Sequence, residues 1–143
     1  MENSPFDKLV WLMNRLRNPG GCPWDIEQTA ESLKPFVLEE AYEVVEAIDD
    51  PNPNALKEEL GDLLYQVLFL SKIAEEKNQY NIQDVLTHTY DKLYKRHPHV
   101  FGDEKLNTSG EVIKNWEKIK AVEKGETRKS ILDGLPATLP ALL

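Results

Sequence analysis

Residues 58–70 read EELGDLLYQVLFL, and the spacing of their apolar side chains decides the fold. Together with their flanks, Leu56, Leu60, Leu63, Val67, Leu70 and Ala74 step by 4, 3, 4, 3 and 4, which is the seam of a packed helix. Leu64, Leu68, Phe69 and Ile73 carry apolar surface around much of the remaining circumference. A helix that is apolar nearly all round is expected to be buried. Set into that run are Glu59, Asp62 and Gln66, which project within about 60° of one another at 100° per residue. Isolated buried carboxylates would cost several kcal/mol each unless paired or bound to a metal. Lys57, the nearest basic residue on this helix, points elsewhere, so a shared cation is the simplest explanation. Gly61 adds a weak hint, because a mid-helix glycine costs about 1 kcal/mol against alanine and suggests close approach by something.

The preceding helix contains FVLEEAYEVVEAI, residues 36–48. On a helical wheel Leu38, Ala41, Val45 and Ile48 fall within about 80°, which predicts a core stripe. Glu39, Glu40, Glu43 and Glu46 cover about 120° of the other side, and taken alone would be a solvated acidic face. The breaker cluster DDPNPN, residues 49–54, makes the two helices antiparallel neighbours. Glu40/Glu43 and Glu59/Asp62 each have i, i+3 spacing, so each pair presents two carboxylates on one side of its helix. If the pairs face each other, four oxygen donors surround one small volume. With no histidine or cysteine among them, such a set suits Mg²⁺ or Mn²⁺ rather than zinc. A ferritin-like di-iron bundle would need Glu-x-x-His on two helices, and none of His88, His97 or His99 follows a glutamate by three.

Outward from this pair the chain reads as further helices joined by short loops. Ser4-Pro5 with Asp7 starts the first, which Asn18-Pro19-Gly20-Gly21 ends. The second is expected from about Ser32 to Asp49, and the third from Pro53 to about Lys77. Asn81 is a cap for a fourth reaching Arg96, and Thr108 with Glu111 is a capping-box pattern for a fifth over 109–124. The segments GGCPWDIEQT (20–29) and HPHVFGDEKLN (97–107) read as loops. No β-branched alternation competes, so the class is all-α: an antiparallel bundle of about five helices in a single domain spanning 1–143.

Bulk properties limit the function. A net charge of −8 argues against general affinity for nucleic acid or anionic membranes. It does not exclude a small anionic substrate, because a bound cation inverts the local field. Apolar runs fall well short of the roughly 20 residues a spanning helix needs. The stretch MENSPFDKLVW lacks a signal-peptide pattern, and Cys22 alone makes no disulfide framework, so a cytoplasmic location is expected. Cys22 reads as a packed small residue, and His97 and His99 as structural or capping groups rather than ligands. Trp24 is expected to anchor its loop, and Trp11 to pack in the bundle or at a subunit interface.

Glu40-x-x-Glu43, fifteen residues, then Glu59-Leu-Gly-Asp62 resembles the ExxE…ExxD signature of the all-α nucleoside triphosphate pyrophosphohydrolases. GGCPWDIEQT, EEAYEVVEAI, EELGDLLYQVLF, KLYKRHPHVFGD and NWEKIK are similar, in order, to the blocks of the MazG branch. The resemblance implies an all-α fold that dimerises or assembles further through its helices. It also implies Mg²⁺-dependent hydrolysis of nucleoside triphosphates to the monophosphate and pyrophosphate, as in nucleotide-pool house-cleaning, with Mn²⁺ as a substitute metal. Carried over residue by residue, it makes Glu40, Glu43, Glu59 and Asp62 metal ligands and Glu39 the group that orients or deprotonates water. Lys92 and Arg96 would hold phosphate, and Trp116 would stack on the base. Two alternatives stay open: a non-catalytic helical interaction or nucleotide-sensing module, and a narrower pyrophosphatase of the dUTP or dCTP type. In two-domain members a region resembling ILDGLPATLPALL leads towards a second, similar domain. The chain is therefore either a single-domain protein or the N-terminal domain of a longer one, and in the latter case most activity could belong to the other domain.

Overall fold

A computed structural model describes residues 4–124. Among them are seven helices and no strand: α1 (Pro5–Arg17), α2 (Pro23–Glu27), α3 (Lys34–Ile48), α4 (Pro53–Glu76), α5 (Ile82–Lys95), α6 (Pro98–Phe101) and α7 (Ser109–Lys124). The five long helices are the expected ones. The two additional helices are single short turns, each opened by a proline at its first position, inside segments that read as loops. Local chemistry sets the starts. Ser4 Oγ accepts from the Asp7 N–H at 3.1 Å while Asp7 accepts from the Ser4 N–H at 3.0 Å. Asn81 with Asp84, and Thr108 with Glu111, make the same reciprocal arrangement at α5 and α7. The ILDGLPATLPALL segment lies outside the described residues.

The chain forms two compact units divided between Thr87 and His88. In the first, α3 packs along α4 and α1 crosses onto α4 and α2. Its core is Met13, Leu33, Leu68, Phe69 and Ile73, flanked by Phe6, Leu9, Val10, Phe36, Tyr65, Leu70 and Ile82. Arg17 ties this core to the 20–29 segment. Its side chain is 5% exposed and donates to the backbone carbonyls of Asp25 and Gln28. It also pairs with both oxygens of Glu76 at 2.9 and 2.7 Å, with its guanidinium 5.2 Å from the centre of the Phe69 ring. Trp24 meets Phe36 and Phe69 edge-on, so it anchors this segment although half its surface is open. Gly21 is required here, because a Cβ would lie 2.1 Å from the Leu16 carbonyl oxygen.

The structure buries the C-terminal half of α4 as expected, with Leu68, Phe69, Ile73 and Ala74 inside, but leaves open other apolar positions of the central pair. Of the supposed α3 core stripe, Leu38, Val45 and Ile48 are 53%, 60% and 62% exposed, while Ala47 is the buried residue of that helix. On α4, Leu60, Leu64 and Val67 are also exposed, and burial is confined to Gln66 and the residues beyond it. The helical periodicity is correct, but among the described residues nothing covers these six apolar positions. Instead, the side of α3 carrying Glu40 and Val44 turns partly inward. Trp11 is likewise exposed on α1 rather than packed in the bundle. A Cβ at Gly61 would meet nothing within 4 Å among the described residues, so the close approach suggested by its sequence is not made by any of them.

Candidate active site

The α3–α4 pairing brings the acidic motifs together. One oxygen each of Glu40, Glu43 and Glu59 lies within 4.8 Å of the others. Asp62 stands outside that tight group, yet its charge bears on both Glu40 and Glu59. Glu40 and Glu59 are half-buried, whereas Glu43 and Asp62 are exposed, so the expectation of deeply buried acids is corrected. The reason is the open apolar side of α4, which leaves the cluster near the surface. Desolvation, then repulsion from Asp62 and Glu43, raises the Glu40 carboxyl above the ordinary value of 4.5. Glu59 is raised in the same direction by desolvation, then by Glu43 and Asp62. Clustering, more than depth, distinguishes these acids from a solvated face.

Two oxygens on opposite sides of one Mg²⁺ stand roughly 4.2 Å apart, twice the metal–oxygen distance. Three carboxylates already within 4.8 Å need only small side-chain rotations to close on such an ion. The donor set is all oxygen, which fits Mg²⁺ or Mn²⁺. A further polar group borders the cluster: Gln66 is 8% exposed, and its Nε2 donates to Glu40 Oε1 at 3.5 Å. Glu39 is exposed and lies outside the converging trio.

Lys92, Arg96 and Trp116 belong to the second unit. Lys92 and Arg96 line a pocket of about 450 Å³ with His88, Asp91, Lys95 and Glu123. Arg96 is already engaged there. Its Nε donates to Glu123 Oε2 at 2.9 Å, and its guanidinium lies 5.7 Å from the Trp116 ring centre. That hydrogen bond, reinforced by the Arg96 charge, holds the Glu123 carboxyl below its usual range. His97 also meets Trp116 edge-on, and its Nδ1 lies 2.5 Å from the Leu93 carbonyl oxygen, a structural role as expected.

Glu123 and Asp25 were not distinguished by sequence. Glu123 is 27 residues from its arginine, and no spacing rule joins them. Asp25 is 7% exposed and takes a 3.5 Å hydrogen bond from the Tyr65 hydroxyl. Burial, then the Asp25 charge, pushes that hydroxyl up to about 12, so it remains a donor. The usable signal at Asp25 was its place after Pro23-Trp24 in a segment too apolar for a free surface loop.

A family model described as the MazG nucleotide pyrophosphohydrolase domain matches residues 28–101. The chain is 49% identical over 137 residues to the nucleoside triphosphate pyrophosphohydrolase/pyrophosphatase MazG of Thermotoga maritima, covering 96% of this chain and 52% of that protein. It is 45% identical over 140 residues to a nucleoside triphosphate pyrophosphohydrolase of Escherichia coli, covering 96% of this chain and 53% of that one. The chain thus spans about half the length of the curated relatives it matches. A crystal structure of a mazG-related protein from Thermotoga maritima superposes with a TM-score of 0.66 at 27% identity, over 80% of this chain and 97% of that one.

Proposed function

Because the chain belongs to the MazG nucleotide pyrophosphohydrolase family, we propose that it hydrolyses nucleoside triphosphates to the monophosphate and pyrophosphate in a Mg²⁺-dependent reaction. The observation that carries this reading is the convergence of Glu40 and Glu43 from α3 with Glu59 from α4. Those three and Asp62 would hold the cation. When bound, it neutralises phosphate charge and orients water, which lets a polyanion approach an acidic cluster. Glu39 takes the proton of the attacking water as its oxygen bonds to the α-phosphorus. The bond from that phosphorus to the bridging oxygen breaks, and pyrophosphate leaves. For Lys92 and Arg96, which the second unit carries, a phosphate contact rests on the family resemblance, and there the Arg96 fork would exchange Glu123 for a phosphate oxygen. Trp116 stacks on the base, a contact that discriminates little between bases and suits a house-cleaning role on a mixed nucleotide pool.

The exposed stripes Leu38, Val45, Ile48 and Leu60, Leu64, Val67 support assembly of two or more copies through α3 and α4. No helix among the described residues is long and apolar enough to cross a membrane. With the negative charge, this supports action on free nucleotides in the cytoplasm rather than on nucleic acid or at a membrane. Pyrophosphate release from a panel of ribo- and deoxyribonucleoside triphosphates, with Mg²⁺ and with chelator, is the test. The proposal expects release from several triphosphates in Mg²⁺ alone. Well-folded protein that releases none from any triphosphate would refute it.

A further inference from the structure

Gln66 stands on the acid-bearing side of α4, four residues beyond Asp62 and seven beyond Glu59, where helical geometry aligns side chains. It is 8% exposed, in contrast to the open or half-open carboxylates around it. Its two polar atoms are treated differently by the protein. Nε2 donates across the helix pair to Glu40 Oε1 at 3.5 Å. Oε1 is buried with no hydrogen-bond partner among the described residues. Exchanging the two ends would aim a carbonyl oxygen at a carboxylate, so Glu40 fixes which end faces it. An apolar side chain of similar length would fill the same space without burying an unsatisfied oxygen. The amide is therefore explained by what it does beside the cluster rather than by packing.

We infer that Gln66 is a positioning residue of the metal site: its amide nitrogen sets the orientation of Glu40, and its carbonyl oxygen accepts a hydrogen bond from the hydrated cation. This rests on the metal reading of the cluster given above. The two halves of the inference are complementary. A carboxylate held by a donor keeps one oxygen in place and leaves the other for the ion. The carbonyl, buried without a donor among the described residues, is free to accept from water that enters with the cation. Groups that orient ligands in this way change metal affinity by about 10–100-fold when removed.

The test titrates Mn²⁺ into the full chain, with free Mn²⁺ read by electron paramagnetic resonance, for the wild type and Gln66→Met. The variant keeps the length of the side chain and removes both polar atoms. Its Mn²⁺ affinity is expected to fall by about 10–100-fold, with the melting temperature of the metal-free protein unchanged or raised. Undiminished Mn²⁺ affinity in folded Gln66→Met overturns the inference and leaves the metal reading intact. A wild-type protein that binds no Mn²⁺ overturns the metal reading itself, which is a different failure. Independently of any variant, the Gln66 side-chain NH₂ resonances of the wild type should shift saturably on adding Mg²⁺. Resonances that stay in place while the protein binds Mg²⁺ would contradict the inference.

Discussion

Glu40 and Glu59 hold their protons more tightly than ordinary glutamates, because burial and neighbouring carboxylates disfavour their charged forms. A carboxyl raised in the folded state contributes its stability fully below the ordinary value of 4.5 and loses it as pH climbs through the raised value. In chelator, Glu40→Gln should therefore melt higher than the wild type at neutral pH, with the gap narrowing as pH falls towards 4.5. Relief of the i, i+3 repulsion with Glu43 alone is worth about 0.2–0.5 kcal/mol. Thermal melts across that window check it, and a variant less stable than the wild type at pH 7 would be the contrary result. Glu76 behaves oppositely. The Arg17 hydrogen bonds depress it, so its contribution is present above the ordinary value and is lost as pH falls through the depressed one. Arg17→Met also leaves the Asp25 and Gln28 carbonyls without this donor, and should cost about 1–3 kcal/mol in urea denaturation. A loss near zero would show that the 20–29 segment holds itself in place.

At the scale of helices, Gly61 separates two explanations of the same residue. Among the described residues nothing lies within 4 Å of where its Cβ would stand, so Gly61→Ala should stabilise the protein by about 1 kcal/mol in urea denaturation. No gain would mean that something outside the described residues approaches α4 there. The helix starts were legible because capping is local: Ser4, Asn81 and Thr108 each find their partner within three residues. The convergence of the Glu40/Glu43 pair with Glu59 was also legible, since a short connection forces α3 and α4 to be neighbours and i, i+3 spacing aligns each pair. The covered faces were not. A wheel separates apolar Leu38, Val45 and Ile48 from the acids but does not say what covers them, their own chain or another copy. Arg96 with Glu123 escaped for a related reason, because a contact across 27 residues leaves no periodic trace.

For the molecule as a whole, the open stripes of α3 and α4 and the acidic cluster belong to the same pair of helices, so the proposed assembly would bear on the proposed site. Light scattering after gel filtration should give at least twice the 16.4 kDa chain mass. Val45→Lys with Val67→Lys, which place charge on both stripes, should shift it towards the single-chain mass. A monomeric wild type would leave those stripes unexplained. The chain spans about half of its curated relatives, so its own catalytic competence has to be measured on this chain. The most direct measurement is pyrophosphate release in Mg²⁺ by the wild type beside Glu59→Gln, with helical content of both followed by circular dichroism. The account predicts turnover by the wild type and its abolition in Glu59→Gln at unchanged helical content. Equal turnover by the two proteins would contradict the proposal that the α3–α4 carboxylates form the catalytic metal site.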